Sequence, residues 1–221
     1  MKKLHLEQEI EELRAKVLEM SSLAGKALDK SLKALNERDS SLAEEVIEGD
    51  RDVNQKQCDI DEYTLSVLAR EQPVARDLRF ILGSTQITAN LERVGDQSVN
   101  IAERILLLSQ RPPLPHNPLL EELATCAHDM YKRVIDAYNR NDADMALTVC
   151  DMDTKCDTLN MKILKHYMDY MVQESRSVER AVHQIILARS LERVGDLATN
   201  IAESVIFIIK GIDIRQTCHP Y

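Results

Sequence analysis

Apolar residues recur along the chain at steps of three and four, as in Ile87, Leu91, Val94, Ile101 and Ile105, with no run alternating at two. That period belongs to helices, and strand signals are absent. The pattern predicts six long helices, over about residues 6–36, 41–70, 73–109, 119–140, 142–173 and 177–210. Asp39, Ser40 and Ser41 followed by Glu44 read as an N-cap with a Ser41-x-x-Glu44 capping box, and Asp142 as a second N-cap. Pro73 suits the first turn of the third helix. The run from Arg111 to Pro118 carries four prolines and cannot be helical throughout. The expected organisation is therefore a first three-helix unit over 1–111, a linker over 112–118, a second unit over 119–210 and a tail over 211–221. Helices of thirty residues are ~45 Å long, which makes each unit an elongated bundle and the fold all-α.

The two units are copies. Leu91–Glu103 reads LERVGDQSVNIAE and Leu191–Glu203 reads LERVGDLATNIAE, with ten of thirteen positions identical. Upstream the match continues with a three-residue shift, so that Asp50, Val53 and Asn54 answer to Asp153, Cys156 and Asp157. The shift falls between the second and third helices of each unit, where a change of length costs least.

On a wheel of ~100° per residue with Glu92 at zero, Glu103 lies at ~20°, Asp96 at ~40° and Asn100 at ~80°, while the apolar positions gather on the opposite side. Glu192, Asp196, Asn200 and Glu203 take the same angles, so both acidic stripes are expected to face outwards. Acids four apart on a helix repel one another. Each motif also places a glycine, Gly95 or Gly195, mid-helix, at a cost of about 1 kcal/mol relative to alanine. Two unfavourable choices in one turn, made twice, point to a site. Hard oxygen ligands on adjacent turns chelate a cation and cancel the repulsion, and a glycine lets a neighbouring backbone or ligand approach. The second helix of each unit adds oxygens at the same spacing, Asp50 with Asn54 and Asp153 with Asp157. A solvated charged face, with Arg93 and Arg193 pairing the acids, is the plain alternative. Against it, the motif has kept its residues while the rest of the two units has diverged.

Composition narrows the function. Asp and Glu number 37 against 28 Lys and Arg, a net charge of −9, which argues against general nucleic-acid binding. No apolar run approaches the ~18 residues that span a bilayer, and the charged start of the chain does not read as a signal peptide. The five cysteines are scattered without C-x-x-C, as expected of a reducing, cytoplasmic compartment. No histidine follows a glutamate by three, so the Glu-x-x-His of carboxylate-bridged iron enzymes is missing, and a metal-binding enzyme or metal store on a helical bundle is the weaker alternative. Phosphate-cradling glycine loops and a nucleophile elbow are likewise missing. The methionines, Met145, Met161, Met168 and Met171 among them, read as packing filler, and Cys150 and Cys156 as inert helix positions.

Two copies of LERVGD-x-x-x-NIAE, each closing a three-helix unit, resemble the PhoU family, and so does Val46–Ile81 with its REQPVARDLR segment. The resemblance covers about residues 5–212. It implies two similar three-helix bundles related by a pseudo-twofold axis. It further implies iron, zinc or other metal ions held at Glu92 and Asp96 and at Glu192 and Asp196, with Asp50 and Asn54, and Asp153 and Asp157, as further ligands. Asn54 stands where the family has aspartate, which implies weaker binding or fewer ions at the first site. The resemblance also implies a homodimer in the cytoplasm, reaching the membrane only through partners. Those partners would be the ATPase of a phosphate ABC transporter and a phosphate sensor histidine kinase, between which the protein acts as an adaptor and not a catalyst.

Overall fold

The structure, a computed structural model, describes residues 2–214. Six helices follow one another: α1 (Lys2–Glu37), α2 (Ser40–Glu71), α3 (Ala75–Ser109), α4 (Pro118–Arg140), α5 (Ala143–Gln173) and α6 (Val178–Lys210), with one 3-10 turn at Ser175–Ser177. No strand occurs among the described residues. The all-α fold of two three-helix repeats expected from the apolar period is the one observed. The end of the predicted tail, with Cys218 and His219, lies outside the described residues.

Two of the predicted helix starts need correction. The Asp39 carboxylate accepts hydrogen bonds from the Ser41 and Leu42 backbone N–H groups, so Asp39 is the N-cap and the Ser41–Glu44 box does not form. Ser41 is already inside the first turn when the cap closes. Pro73 stands before α3 rather than in it. It follows Gln72, which sits in the left-handed region at φ 50°, and the helix opens two residues later at Ala75. A proline bars its predecessor from the right-handed helical well, so Pro73 ends α2 instead of starting α3. Asp142 caps α5 as predicted, through the Asp144 and Met145 N–H groups.

Helices α1–α3 pack into one bundle and α4–α6 into the other, and α3 lies against α6 where the repeats meet. Leu13, Met20, Leu28, Ile60 and Ile81 in the first repeat, and Leu123, Met130, Ile163 and Leu187 in the second, are fully buried. Each such side chain is worth about 1.5–3 kcal/mol. Ser204 donates to Gln86 at 3.4 Å and Arg111 pairs with Glu179 at 2.9 Å, which fixes α3 and α6 as antiparallel. In that register Gly95 of one motif stands level with Gly195 of the other. A Cβ on Gly83 would collide with the Ile208 side chain, so this glycine sets how closely the two helices approach. A second seam joins α1 to α4, where Tyr131 donates to the Ser21 carbonyl at 2.6 Å and Arg14 to the Tyr138 carbonyl at 3.2 Å. The chain between α3 and α4 is pinned from both repeats: Arg38 donates to the carbonyls of Leu108 and Arg111, and Arg180 to that of Pro112.

The methionines divide. Met145 and Met171 pack on the core, but Met161 and Met168 are exposed, contrary to the filler reading. On α5 these two share a stripe with Asp157, turned away from the buried Ile163 and Tyr167.

Candidate metal centre

Each motif helix packs one flank against the second helix of its own repeat, and that contact builds the acidic sites. A Cβ on Gly95 would lie 3.3 Å from Val53 and 3.5 Å from the Asp50 carboxylate on α2. One on Gly195 would lie 3.5 Å from Cys156 on α5 and from Met130 on α4. The motif glycines thus admit neighbouring helices rather than a ligand, and they bring the acids of α2 and α5 up to those of α3 and α6.

In the second repeat, Asp157, Glu192 and Asp196 each offer a carboxylate oxygen within 4.8 Å of the others. Among the described residues no other three acidic, histidine or cysteine side chains converge so closely. Asp157 is exposed, and Glu192 and Asp196 are half-buried. Arg193 donates to one Asp196 oxygen at 2.8 Å, as the plain alternative anticipated, which leaves the other oxygen for an ion. The Glu192 carboxyl is pushed up to about 7 by partial burial and then by the charges of Asp196 and Asp157, against the pull of Arg189 and Arg193. Asp153 lies deeper and accepts a hydrogen bond from Thr199 at 3.2 Å. An open cavity of about 580 Å³ adjoins the cluster, lined by Glu192, Asp196, Arg189 and Arg193 and, from α3, Gln97.

The first repeat arranges the matching positions differently. Asn54 donates its amide N–H to Asp50 at 2.8 Å. The remaining Asp50 oxygen and the Asn54 carbonyl are buried without a hydrogen-bond partner. Glu92 is half-buried and Asp96 exposed. Both carboxyls are raised, first by desolvation, then for Glu92 by Asp96 and Asp50 and for Asp96 by Asp50, with Arg93 opposing. These oxygens, all hard donors, suit a cation as those of the second repeat do.

Other candidates stand apart. Asn100 is exposed and turned to Gln97 at 3.4 Å, and Asn200 is half-buried. The prediction that every acid of the stripes faces outwards fails at Glu203, which is only 5% exposed, while its counterpart Glu103 is exposed and paired with Arg104. The cause is burial of the C-terminal half of α6, where Ser204, Val205 and Ile206 are buried too. Sequence reasoning missed Gln97 and Thr199. Both lie in the three motif positions at which the copies differ, Gln97-Ser98-Val99 against Leu197-Ala198-Thr199, and that difference was the available signal.

A family model described as the PhoU domain matches residues 17–105 and again 120–205. The phosphate-specific transport system accessory protein PhoU homolog of Pseudomonas putida is 38% identical over 94% of this chain and 82% of its own length. The accessory protein PhoU of Escherichia coli is 35% identical over 94% of this chain and 86% of its length. Among solved structures, PhoU from Pseudomonas aeruginosa superposes with a TM-score of 0.90 at 35% identity, covering 93% of this chain and 99% of that one. The phosphate transport system regulatory protein PhoU from Streptococcus pneumoniae gives 0.88 at 25% identity, covering 94% and 98%. These relatives carry accessory and regulatory names, not enzymatic ones, and the enzyme alternative loses its support.

Proposed function

The chain belongs to the PhoU family, and on that premise we propose that it is a metal-binding cytoplasmic regulator of phosphate uptake and phosphate signalling. It acts as an adaptor between the ATPase of a phosphate ABC transporter and the sensor histidine kinase, holding the system in its repressed state when phosphate is plentiful. No described helix is long and apolar enough to cross a membrane, in keeping with attachment through partners alone.

The convergence of Asp157, Glu192 and Asp196 carries the metal part of this reading. Three carboxylates in one half-buried place repel one another, and a bound cation supplies the charge that makes the cluster stable. Arg193 holds Asp196 in position. Neutralising this face then sets how it meets a partner or a second copy of the chain. Elemental analysis of protein purified without chelator or histidine tag tests the assignment. Glu192→Ala combined with Asp196→Ala lowers the bound metal, and unchanged stoichiometry rejects it. Repression of phosphate-responsive genes in the same variant tests whether the metal serves regulation.

A further inference from the structure

Behind the acidic cluster, on the core side of α5, three sulfur atoms meet. Cys156 Sγ lies 3.1 Å from Cys126 Sγ and 3.5 Å from Met130 Sδ. Cys126 and Met130 stand one turn apart on α4, so both face the same neighbour. Cys156 and Met130 are fully buried, and Cys126 is 5% exposed. The first repeat has Val53, Leu23 and Ala27 in the corresponding places, with no sulfur among them. Packing of a repeat therefore does not require sulfur here. Gly195 adds room, since a Cβ there would lie 3.5 Å from both Cys156 Sγ and Met130 Sδ.

We propose that Cys126, Met130 and Cys156 bind one soft monovalent cation of the copper(I) class, separately from the carboxylate cluster. The donor set makes the selection. Thiolates and a thioether are soft ligands, whereas the hard ions that suit Asp157, Glu192 and Asp196 bind through oxygen. Zinc takes four ligands from cysteine, histidine and carboxylate, and iron–sulfur clusters take four cysteines. Among the described residues no acidic or histidine side chain converges on this pair of thiols, so neither set can be completed. Copper(I) is satisfied by fewer and softer donors. An ion ~2.3 Å from each sulfur would hold the three about 4 Å apart, so they spread by up to ~1 Å, over Gly195 and with Met130 as the flexible member. Burial, and after it Cys126, Asp153 and Asp157, raise the Cys156 thiol, which stays protonated and poorly nucleophilic without an ion. Only an ion of high affinity for sulfur displaces the thiol protons to solvent, and once bound it ties α4 to α5 behind Asp157.

The test uses the full chain, treated with EDTA, in a background of Cys58→Ser, Cys150→Ser and Cys218→Ser, which leaves Cys126 and Cys156 as the only cysteines. Copper(I) is titrated without oxygen against a chromogenic copper(I) chelator. The background chain takes one ion from the chelator, and its thermal unfolding midpoint rises with the ion bound. Wild-type chain whose accessible thiols are blocked with iodoacetamide while folded gives the same result. Cys126→Ala with Cys156→Val, the latter carrying the first repeat's side chain, weakens uptake by about a hundredfold or more. Met130→Leu, which conserves volume, weakens it by about tenfold. Glu192→Ala with Asp196→Ala leaves it unchanged. No uptake by a background chain whose circular dichroism matches wild type and whose two thiols react after unfolding overturns the proposal. So does equal uptake by the Cys126/Cys156 variant, and so does full affinity in Met130→Leu, which reduces the site to two thiols. A background chain two hydrogens lighter, with Cys126 and Cys156 joined as a disulfide under reductant, overturns it as well. Loss of copper(I) from the Glu192/Asp196 variant would put the ion on the carboxylates, which removes the sulfur site and leaves the proposed carboxylate site standing.

Discussion

In the first repeat Asp50 already holds a hydrogen bond from the residue four positions on, because that residue is Asn54 and its amide can donate. In the second, the same two places are Asp153 and Asp157, and neither side chain has an amide N–H to donate. Asp153 takes its hydrogen bond from Thr199, where the first repeat has Val99. Asp157 converges with Glu192 and Asp196. Copies that share ten of thirteen motif residues thus differ in how their acids are satisfied, and the difference comes from residues outside those ten. A repeated acidic motif presents oxygens, and the helix packed beside it decides how they are held: in the first repeat one Asp50 oxygen and the Asn54 carbonyl stay buried without a hydrogen-bond partner.

The largest test of that contrast is metal content in paired variants. If the second cluster holds an ion, Glu192→Ala with Asp196→Ala should weaken metal binding by about tenfold or more, since affinity follows the count of charged ligands. Glu92→Ala with Asp96→Ala should remove less, and Asn54→Asp should tighten the first site. Equal losses from the two double variants, by elemental analysis and competition with a chelating dye, would make the repeats equivalent and dissolve the comparison.

Next come the glycines at the helix seams. Gly83→Ala drives a methyl into Ile208 and should destabilise the chain by about 1–2 kcal/mol, the overpacking cost less the gain in helix propensity. Gly195→Ala meets only ordinary contact distances at Cys156 and Met130 and should stabilise by up to about 1 kcal/mol. Urea unfolding gives both signs. A destabilising Gly195→Ala would mean that α5 sits closer to the motif than the structure places it. The caps should respond alike in the two repeats, with Asp39→Ala and Asp142→Ala each costing about 1 kcal/mol.

Much of this was legible in the residues. The three-and-four spacing gave six helices with ends correct to a few residues, because a period persists over thirty positions and tolerates local error. Asp142 was legible as a cap, but Asp39 and Ser41 competed for the same N–H groups, and sequence could not rank them. The acids of the motif were legible as a site through their repetition. Their surroundings were not, since Gln97 lines the cavity beside the second cluster from the opposite repeat and only the antiparallel register of α3 and α6 brings it there. Burial of Glu203 and exposure of Met161 and Met168 were also beyond reach. A wheel describes one helix, whereas these depend on which of its sides a neighbour covers.

The smallest effect is the most specific to the second cluster. Glu192 titrates near 7 in the folded, metal-free chain and near the ordinary carboxylate value when unfolded. Between those values the folded state holds the proton and the unfolded state does not, so stability falls as pH rises from about 4.5 to about 7 and then levels. Glu192→Gln should flatten that part of the profile in EDTA. Glu92, raised by desolvation and then by Asp96 and Asp50, should contribute a slope of the same sign, which Glu92→Gln removes. An added divalent ion should reverse the trend in wild type, because only the ionised cluster binds it. If wild type and Glu192→Gln instead lose stability in parallel across this range, the repulsion among Asp157, Glu192 and Asp196 is already relieved by the chain itself. The cluster then has no physical need of a cation, and the electrostatic case for a metal at the second repeat is lost.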